Sequence, residues 1–282
     1  MKRILTALIL IPAVVALVFF GPLWSIAAVA ALVAALAAIE YRAMAHEATV
    51  HIPLWWLLGA IAALFYVTMY LTDAELPVLS LLAFILLGWS GFRAPLNRVL
   101  PDAATGLFAL IYVAYPLTLI PLLRAHEDGT GLLVFLFVCV WSGDIAALYI
   151  GKNFGRRKLA PRLSPGKTWA GSIASIIASV GFGLGVFYLG QYLATTRDFT
   201  GLHIAMPAWQ IAILAAILNV AAQLGDLLES AIKRGAGVKD SGTMLPGHGG
   251  ILDRIDALLL AAPTLWYILL LRDWQTLFPS LH

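Results

Sequence analysis

Residues 207–229 read PAWQIAILAAILNVAAQLGDLLE, and this stretch decides the fold class. It is an apolar run long enough to cross a bilayer, for which a helix needs about 20 residues. Because lipid offers no hydrogen-bond partner to the backbone, such a run is predicted to be helical. Asn219, Gln223, Asp226 and Ser230 recur at helical spacing along it, so they share one face. In a membrane helix that polar face must turn towards protein or water.

Similar apolar runs fill most of the chain, so we predict an all-α, polytopic bundle of about nine transmembrane helices. Hydrophobic residues make up 61% of the sequence and charged residues only 12%, whereas soluble domains have about 45–50% and about 25%. The predicted spans are 4–20, 24–39, 54–71, 76–92, 105–123, 131–150, 169–194, 207–229 and 251–271.

The distribution of Lys and Arg predicts the orientation of these spans. With the N-terminus in the cytoplasm, nine spans place 15 of the 18 basic residues on the cytoplasmic side. The other side has only Arg124, Arg197 and Arg272. This bias follows the positive-inside rule.

The segment from Ser230 to Asp256 is unlike the runs around it. It reads SAIKRGAGVKDSGTMLPGHGGILDRID, in which glycines alternate with charged residues. Glycines such as Gly249 and Gly250 let backbone N–H groups approach a phosphate without obstruction. The basic residues of the segment suit a polyanion, and they are Lys233, Arg234, Lys239 and Arg254. We predict a phosphate-binding segment at the cytoplasmic membrane surface.

Four aspartates lie near the cytoplasmic ends of three predicted spans, and they are Asp144, Asp226, Asp253 and Asp256. Charges inside membrane spans are costly and are a sign of function. Carboxylates that share a site with phosphate and water oxygens are the ligands that Mg²⁺ prefers. The sequence therefore predicts a magnesium–phosphate site at this face of the membrane.

The basic segment 151–168 is predicted to be a cytoplasmic loop, and it offers Ser164 and Lys167 to the same site. Its residues 164–168, SPGKT, do not form a Walker A loop, because Pro161 stands where the first glycine is required. A plainer interpretation is that basic residues such as Arg156 and Arg157 only fix the topology.

The segment 230–256 resembles the signature of the phosphatidate cytidylyltransferase family, also called CDP-diacylglycerol synthases. That signature is S-x-x-K-R, four residues, K-D-x-[small]-x-x-[apolar]-P-x-H-G-G-x-x-D-R-x-D. The residues that fall on it without a gap are Ser230, Lys233, Arg234, Lys239, Asp240, Gly242, Leu245, Pro246, His248, Gly249, Gly250, Asp253, Arg254 and Asp256.

An upstream block carries the same resemblance. Asp144, Gly151 and the stretch 158–171, KLAPRLSPGKTWAG, match the family's pattern. One position departs from it, since Ala170 stands where the family usually has Glu.

The resemblance implies a membrane-bound, dimeric enzyme that uses Mg²⁺, with a second cation also conceivable. Its reaction converts CTP and phosphatidate into CDP-diacylglycerol and pyrophosphate. Phosphatidate already carries its nucleophile, so catalysis would consist of positioning and charge neutralisation.

Each candidate residue has a role in this interpretation. Asp226 and Asp253 are the principal metal ligands, and Asp256 or Asp144 supports them. Phosphates are held by Lys233, Arg234, Lys239 and Arg254, with further contacts from Ser164, Lys167, Ser230, Gly249 and Gly250. Asp240 completes the catalytic set, and His248 shapes the turn or assists proton movement.

The remaining expectations concern organisation and rival functions. Residues 1–130 would form an N-terminal membrane region, and residues 131–282 the catalytic region. The protein would lie in a bacterial inner membrane, with its site facing the cytoplasm and no nucleic-acid partner. One alternative is a CTP-dependent polyprenol or phytol kinase. The other is an anion transporter, which the concentration of charge at one membrane face disfavours, because transporters bind near the midplane.

Overall fold

The computed structural model describes residues 2–71, 73–244 and 249–277, and most of them are helical. The elements in chain order are α1 (Lys2–Phe20), α2 (Leu23–Glu47), α3 (Leu54–Tyr70), α4 (Glu75–Arg93), α5 (Leu96–Ala109), a π-helical turn (Leu110–Ala114), α6 (Tyr115–Ala125), α7 (Gly129–Phe154), β1 (Lys158–Ala160), β2 (Ser164–Thr168), α8 (Trp169–Arg197), α9 (Ala208–Gly235), α10 (Leu252–Ile255) and α11 (Leu258–Leu277).

The predicted spans fall on helices, with one interruption at Asp256–Ala257 inside the ninth span, and the predicted helical membrane bundle is confirmed. Seven helical segments of the described chain are long and apolar enough to cross a bilayer, and Ile11–Phe20 and Leu54–Tyr70 are shorter apolar helices. The chain is therefore a multi-pass membrane protein. The count of nine spans and the cytoplasmic N-terminus stay predictions.

The basic segment 151–168 is more ordered than the predicted loop. Helix α7 continues to Phe154, and β1 and β2 form an antiparallel hairpin that pairs Lys158 with Thr168 and Ala160 with Ser164. Open strand edges are excluded from lipid but not from water. The hairpin is thus compatible with a position beyond the apolar part of α7.

The chain packs as two compact units. Unit 1 comprises Met1–Leu122 and Glu229–Ile255, and unit 2 comprises Leu123–Leu228 and Asp256–His282. The boundary between them falls within α9, so this helix contributes to both. These units describe packing, and the functional division into 1–130 and 131–282 stays a prediction.

Small residues allow close helix packing inside each unit. In unit 1, α2 buries Ala34, Ala37 and Ala38 completely. In unit 2, α7 packs against α8, where Gly183 leaves room for the side chains of Phe135 and Cys139.

The polar face of α9 turns towards protein, as its spacing predicts. Asn219 is 1% exposed, and its Nδ2 donates to the hydroxyl oxygens of Ser175 and Ser179 on α8 at 2.9 and 2.7 Å. Its Oδ1 accepts from Gln223 Nε2 at 2.7 Å, and Ser172 Oγ donates to Gln223 Oε1 at 2.6 Å. A chain of hydrogen bonds therefore joins α8 and α9 among apolar residues.

Gly143 on α7 lies so close to these hydrogen-bonded side chains that there is no space for a side chain of its own. An added Cβ would lie 2.8 Å from the hydroxyl oxygens of Ser175 and Ser179 and would collide with the amide of Asn219. We expect Gly143→Ala to lower the free energy of unfolding by about 1–3 kcal/mol, the usual effect of overpacking. Denaturant unfolding in detergent measures this change.

Gly181→Ala is the matched control, because it makes the same replacement in α8 at a position with no atom within 4 Å of the added Cβ. It should leave stability unchanged or raise it by roughly 0.5–1 kcal/mol, because Gly is a poorer helix former than Ala. Equal unfolding curves for the two variants would contradict the tight packing at Gly143.

Candidate functional site

The carboxylate of Asp253 is engaged on both oxygens by groups of this chain. Its Oδ1 lies 2.5 Å from Nζ of Lys233 on α9. Its Oδ2 accepts from the backbone N–H groups of Gly250 and Ser241 at 2.8 and 3.0 Å. Asp253 thus binds two separate points of the glycine-rich segment and the end of α9.

Lys233 is held between two carboxylates. Its ammonium group contacts Asp253 and also Glu229, which lies one turn earlier on α9. The Glu229 side chain is fully buried and that of Lys233 is 11% exposed. A charge withdrawn from water is costly unless it is paired, and here each partner supplies the other's counter-charge. An ammonium has three donors, and these two carboxylates account for two of them.

Glu40 on α2 anchors the same segment, and the sequence analysis missed it. Its Oε1 accepts from Ile251 N at 3.0 Å, and its Oε2 accepts from Leu252 N at 2.9 Å. The hydroxyl of Ser241 lies 3.1 Å from Glu40 Oε2 and 2.9 Å from Asp253 Oδ2, so it bridges the two carboxylates. Glu40 is 3% exposed. An acidic residue within an apolar helix was the available signal.

We call Glu40, Glu229, Lys233, Ser241 and Asp253 the insert cluster, and the glycines around it have a steric role. An added Cβ at Gly250 would collide with Ser241 Oγ and Glu40, and one at Gly242 would lie 2.6 Å from Glu40 Oε1. Gly249 has a positive φ of 78°, which favours glycine. These glycines were predicted to approach phosphate, and the structure places them against carboxylates.

A second pair of predicted residues meets in unit 2. Nζ of Lys167 on β2 lies 2.5 Å from Oδ2 of Asp226 on α9, and both side chains are partly exposed. The next residue, Thr168, caps α8 by accepting from Gly171 N at 3.2 Å. The hairpin therefore holds a lysine against the polar face of α9 at its carboxyl-terminal half.

Asp256 approaches α9 beside Asp226. Its backbone carbonyl oxygen would lie 2.5 Å from a Cβ atom added at Gly225. Its Oδ1 accepts from Ala257 N at 2.7 Å. Asp144 lies exposed on α7. Asp256 is thus next to the α9 turn that carries Asp226, and the shared site of the two aspartates stays a prediction.

The other predicted residues lie in varied settings. Ser230 is 7% exposed on α9, and Ser164 is partly buried at the start of β2. Arg234 donates to the carbonyl of Val238 at 3.0 Å. Three further side chains are exposed, namely Lys239, Asp240 and Arg254. His248, Leu245 and Pro246 lie outside the described residues.

The donor chemistry of this region fits Mg²⁺. No group of three or more His, Cys, Asp or Glu residues within the described chain is arranged to hold a metal ion. Mg²⁺, however, commonly takes one or two carboxylates and completes its shell with substrate phosphate and water. Asp226 and Asp256 could supply such carboxylates, with Oδ2 of Asp226 already in contact with Lys167, whereas both oxygens of Asp253 are engaged by groups of this chain.

Comparisons with known proteins agree with the sequence resemblance. A model of the Cytidylyltransferase family matches residues 1–271. A phosphatidate cytidylyltransferase from Synechocystis sp. is 35% identical, with 96% of each chain covered. The phosphatidate cytidylyltransferase of Brucella suis biovar 1 is 45% identical over 58% of this chain and 55% of its own length. The chain thus aligns with about half the length of the Brucella relatives.

We expect Glu40→Gln to loosen the segment that follows Gly250. One carboxylate oxygen becomes an NH₂ group, which cannot accept, so the N–H of Ile251 or Leu252 loses its partner. Amide hydrogen exchange at these two residues should become about tenfold faster or more.

Asp102→Asn is the control for this change, since it alters another buried carboxylate of unit 1. Asp102 is 2% exposed, and its Oδ1 accepts from His51 N at 3.0 Å. Exchange at His51 should change in this variant, and exchange at Ile251 should not. Unaltered exchange at Ile251 and Leu252 in Glu40→Gln would show that Glu40 does not hold the segment.

Proposed function

We propose that this chain, which belongs to the cytidylyltransferase family, is a phosphatidate cytidylyltransferase. A phosphate oxygen of phosphatidate attacks the α-phosphorus of CTP and forms the new P–O bond. The bond between the α-phosphorus and the bridging oxygen breaks, and pyrophosphate leaves with that electron pair. The products are CDP-diacylglycerol and pyrophosphate.

The observation that carries this proposal is the insert cluster at the end of α9. The signature-like segment is folded so that Lys233 and Asp253, two of its charged members, meet at 2.5 Å next to apolar helices. Such a place suits a reaction between a lipid-borne phosphate and a water-soluble nucleotide. Phosphoryl-type transfer of this kind depends on positioning and charge stabilisation, without a protein nucleophile.

The cationic residues of the segment would hold phosphates. Lys233 keeps one ammonium proton free of its two carboxylate partners, and Lys239 and Arg254 of the same segment are exposed. Arg234 is also exposed but donates to Val238 O. In this proposal the ammonium group of Lys233 both orients Asp253 and contacts the substrate.

Asp226 and Asp256 are the residues that would hold Mg²⁺, with Asp144 in support. When bound, Mg²⁺ would supply charge neutralisation on the phosphate oxygens of CTP. Lys167 fixes the position of the Asp226 carboxylate through its 2.5 Å contact. Asp253 would bind a metal ion only with Lys233 displaced, and Ser241 and Gly250 would then still orient its other oxygen.

The setting of the enzyme is part of the proposal. The basic residues favour a cytoplasmic site in a bacterial inner membrane, where CTP is available. The family resemblance favours a homodimer and allows a second cation. Phosphatidate would reach the site from the surrounding lipid.

Incubation of the purified chain with phosphatidate, Mg²⁺ and CTP labelled in its cytosine ring tests the reaction. We expect the label to enter the lipid fraction, to stay in the aqueous fraction with excess EDTA, and to enter lipid again when Mg²⁺ is restored. Labelled CDP in the water phase, formed with an added polyprenol, would indicate a kinase instead. Full lipid labelling in EDTA would exclude the metal.

Lys167→Ala should lower turnover by about 10²-fold, the usual scale for removing one preorganised electrostatic contact. The change removes the contact that positions Asp226, so the Mg²⁺ concentration that gives half the maximal rate should rise as well. Initial rates across a Mg²⁺ titration measure both effects.

Lys158→Ala is the matched control for this change. Lys158 pairs with Thr168 on the opposite strand of the hairpin, its side chain is exposed, and no described carboxylate forms an ion pair with it. Turnover of this variant should stay near that of the wild type. If both variants kept turnover within about twofold, Lys167 would be only a topology determinant.

A further inference from the structure

A cleft of about 440 Å³ opens in unit 1 where α4 ends and where α3 and α5 begin. Its polar wall residues are His51, Ser90, Arg93, Arg98 and Asp102, and Trp89 provides an aromatic face. None of them belongs to the insert cluster, and none lies in the segment 230–256. The proposed reaction leaves this cleft without a role.

Two guanidinium groups give the cleft a positive wall. Arg93 lies over the ring of Trp89, with 4.1 Å between its Cζ and the ring centroid. Arg98 Nη1 lies 3.2 Å from His51 Nδ1. Among the described residues neither arginine forms an ion pair with a carboxylate. Both charges are therefore available to an anion.

The titratable groups around the arginines leave this positive character in place. Asp102 is the acidic residue of the wall, and its Oδ1 accepts from the backbone N–H of His51 while the residue is 2% exposed. The ring of His46 lies 4.8 Å from that of His51. Behind the wall, Arg42 Nε donates to the carbonyl of Ile52 at 2.6 Å.

Two helix starts add to the field of the arginines. Helices α3 and α5 begin after Pro53 and Pro95, and neither has a side-chain cap. Both prolines line the cleft. The first N–H groups of a helix lack partners within it and favour a nearby anion. The arginines and the prolines that precede these two helices therefore line one cavity.

The position of the cleft identifies the kind of anion. It lies at the ends of three apolar helices, two of which are long enough to cross a bilayer as Glu75–Arg93 and Leu96–Ala125. The apolar side chains beside it are open, with Phe92 94% exposed and Leu96 88% exposed. A membrane surface at this level presents phosphate headgroups to arginine and acyl chains to Phe92 and Leu96.

We propose that this cleft binds the phosphate of an anionic phospholipid headgroup between Arg93 and Arg98, with the acyl chains lying along Phe92 and Leu96. Arginine presents a planar fork that matches phosphate oxygens. The site would hold a lipid in addition to any lipid at the insert cluster, and it does not depend on the proposed reaction.

Native mass spectrometry of the detergent-purified full chain tests this proposal by counting retained lipids. The probes are phosphatidylglycerol, which is anionic, and phosphatidylcholine, which is zwitterionic. We expect one phosphatidylglycerol molecule to be retained in preference to phosphatidylcholine. Arg93→Gln with Arg98→Gln should weaken this binding about tenfold or more, because two charge-assisted contacts are lost.

The double replacement of Arg156 and Arg157 by Gln is the matched control. It removes the same charge from two exposed arginines that precede β1, and Arg157 lies 6.0 Å from the ring of Trp169. This variant should retain phosphatidylglycerol like the wild type. Equal weakening in both double variants would overturn the proposal, because it would reduce the effect to general surface charge.

Two further arms keep the result decisive. If the Gln variant of the cleft does not fold, the variant Arg93→Lys with Arg98→Lys replaces it. This variant preserves the charge but removes the planar guanidinium fork. Weaker phosphatidylglycerol binding than in the wild type would then support the site. Inorganic phosphate is the competitor for the anion itself. Displacement of phosphatidylglycerol by phosphate at equal concentration would identify a free-phosphate site and overturn the lipid assignment.

Discussion

The requirement that buried charges be paired governs the segment on which the proposed activity depends. Glu229 and Lys233 lie on α9, which is apolar over most of its length. Asp253 on α10 is the second carboxylate that contacts Lys233. Removing one partner would leave an uncompensated charge in a poorly solvated site, which is strongly unfavourable. The glycine-rich segment is consequently fixed at Asp253, and Glu40 fixes it again through Ile251 and Leu252.

Periodic features of this fold were predictable from sequence, because period and length are local properties. The polar face of α9 is one case, since the spacing of Asn219 and Gln223 already requires a protein or water contact. Its partners were not predictable. Ser172, Ser175 and Ser179 recur at helical spacing along α8, but only the packing of α8 against α9 reveals which amide each hydroxyl meets.

The candidate site was predicted less completely for the same reason. Asp226 and Lys167 were each singled out, yet their 2.5 Å contact depends on the β-hairpin, which the basic composition of 151–168 did not predict. Glu40 lies about 200 positions before its partners, so no local pattern links them. A more general rule would have found it, because an acidic residue in an apolar helix needs a partner somewhere in the chain.

The glycines of the segment 230–256 illustrate how one composition can serve two chemistries. A chain of N–H groups without side chains suits any oxyanion, whether phosphate or carboxylate. In this structure Gly250 donates to Asp253, and the space left by Gly242 and Gly250 is taken by Glu40. These protein carboxylates occupy donors that a substrate phosphate would otherwise use. In the proposed reaction, phosphate would therefore be bound by the exposed cationic side chains rather than by the N–H groups of Ser241, Gly250, Ile251 and Leu252, which already donate to carboxylates.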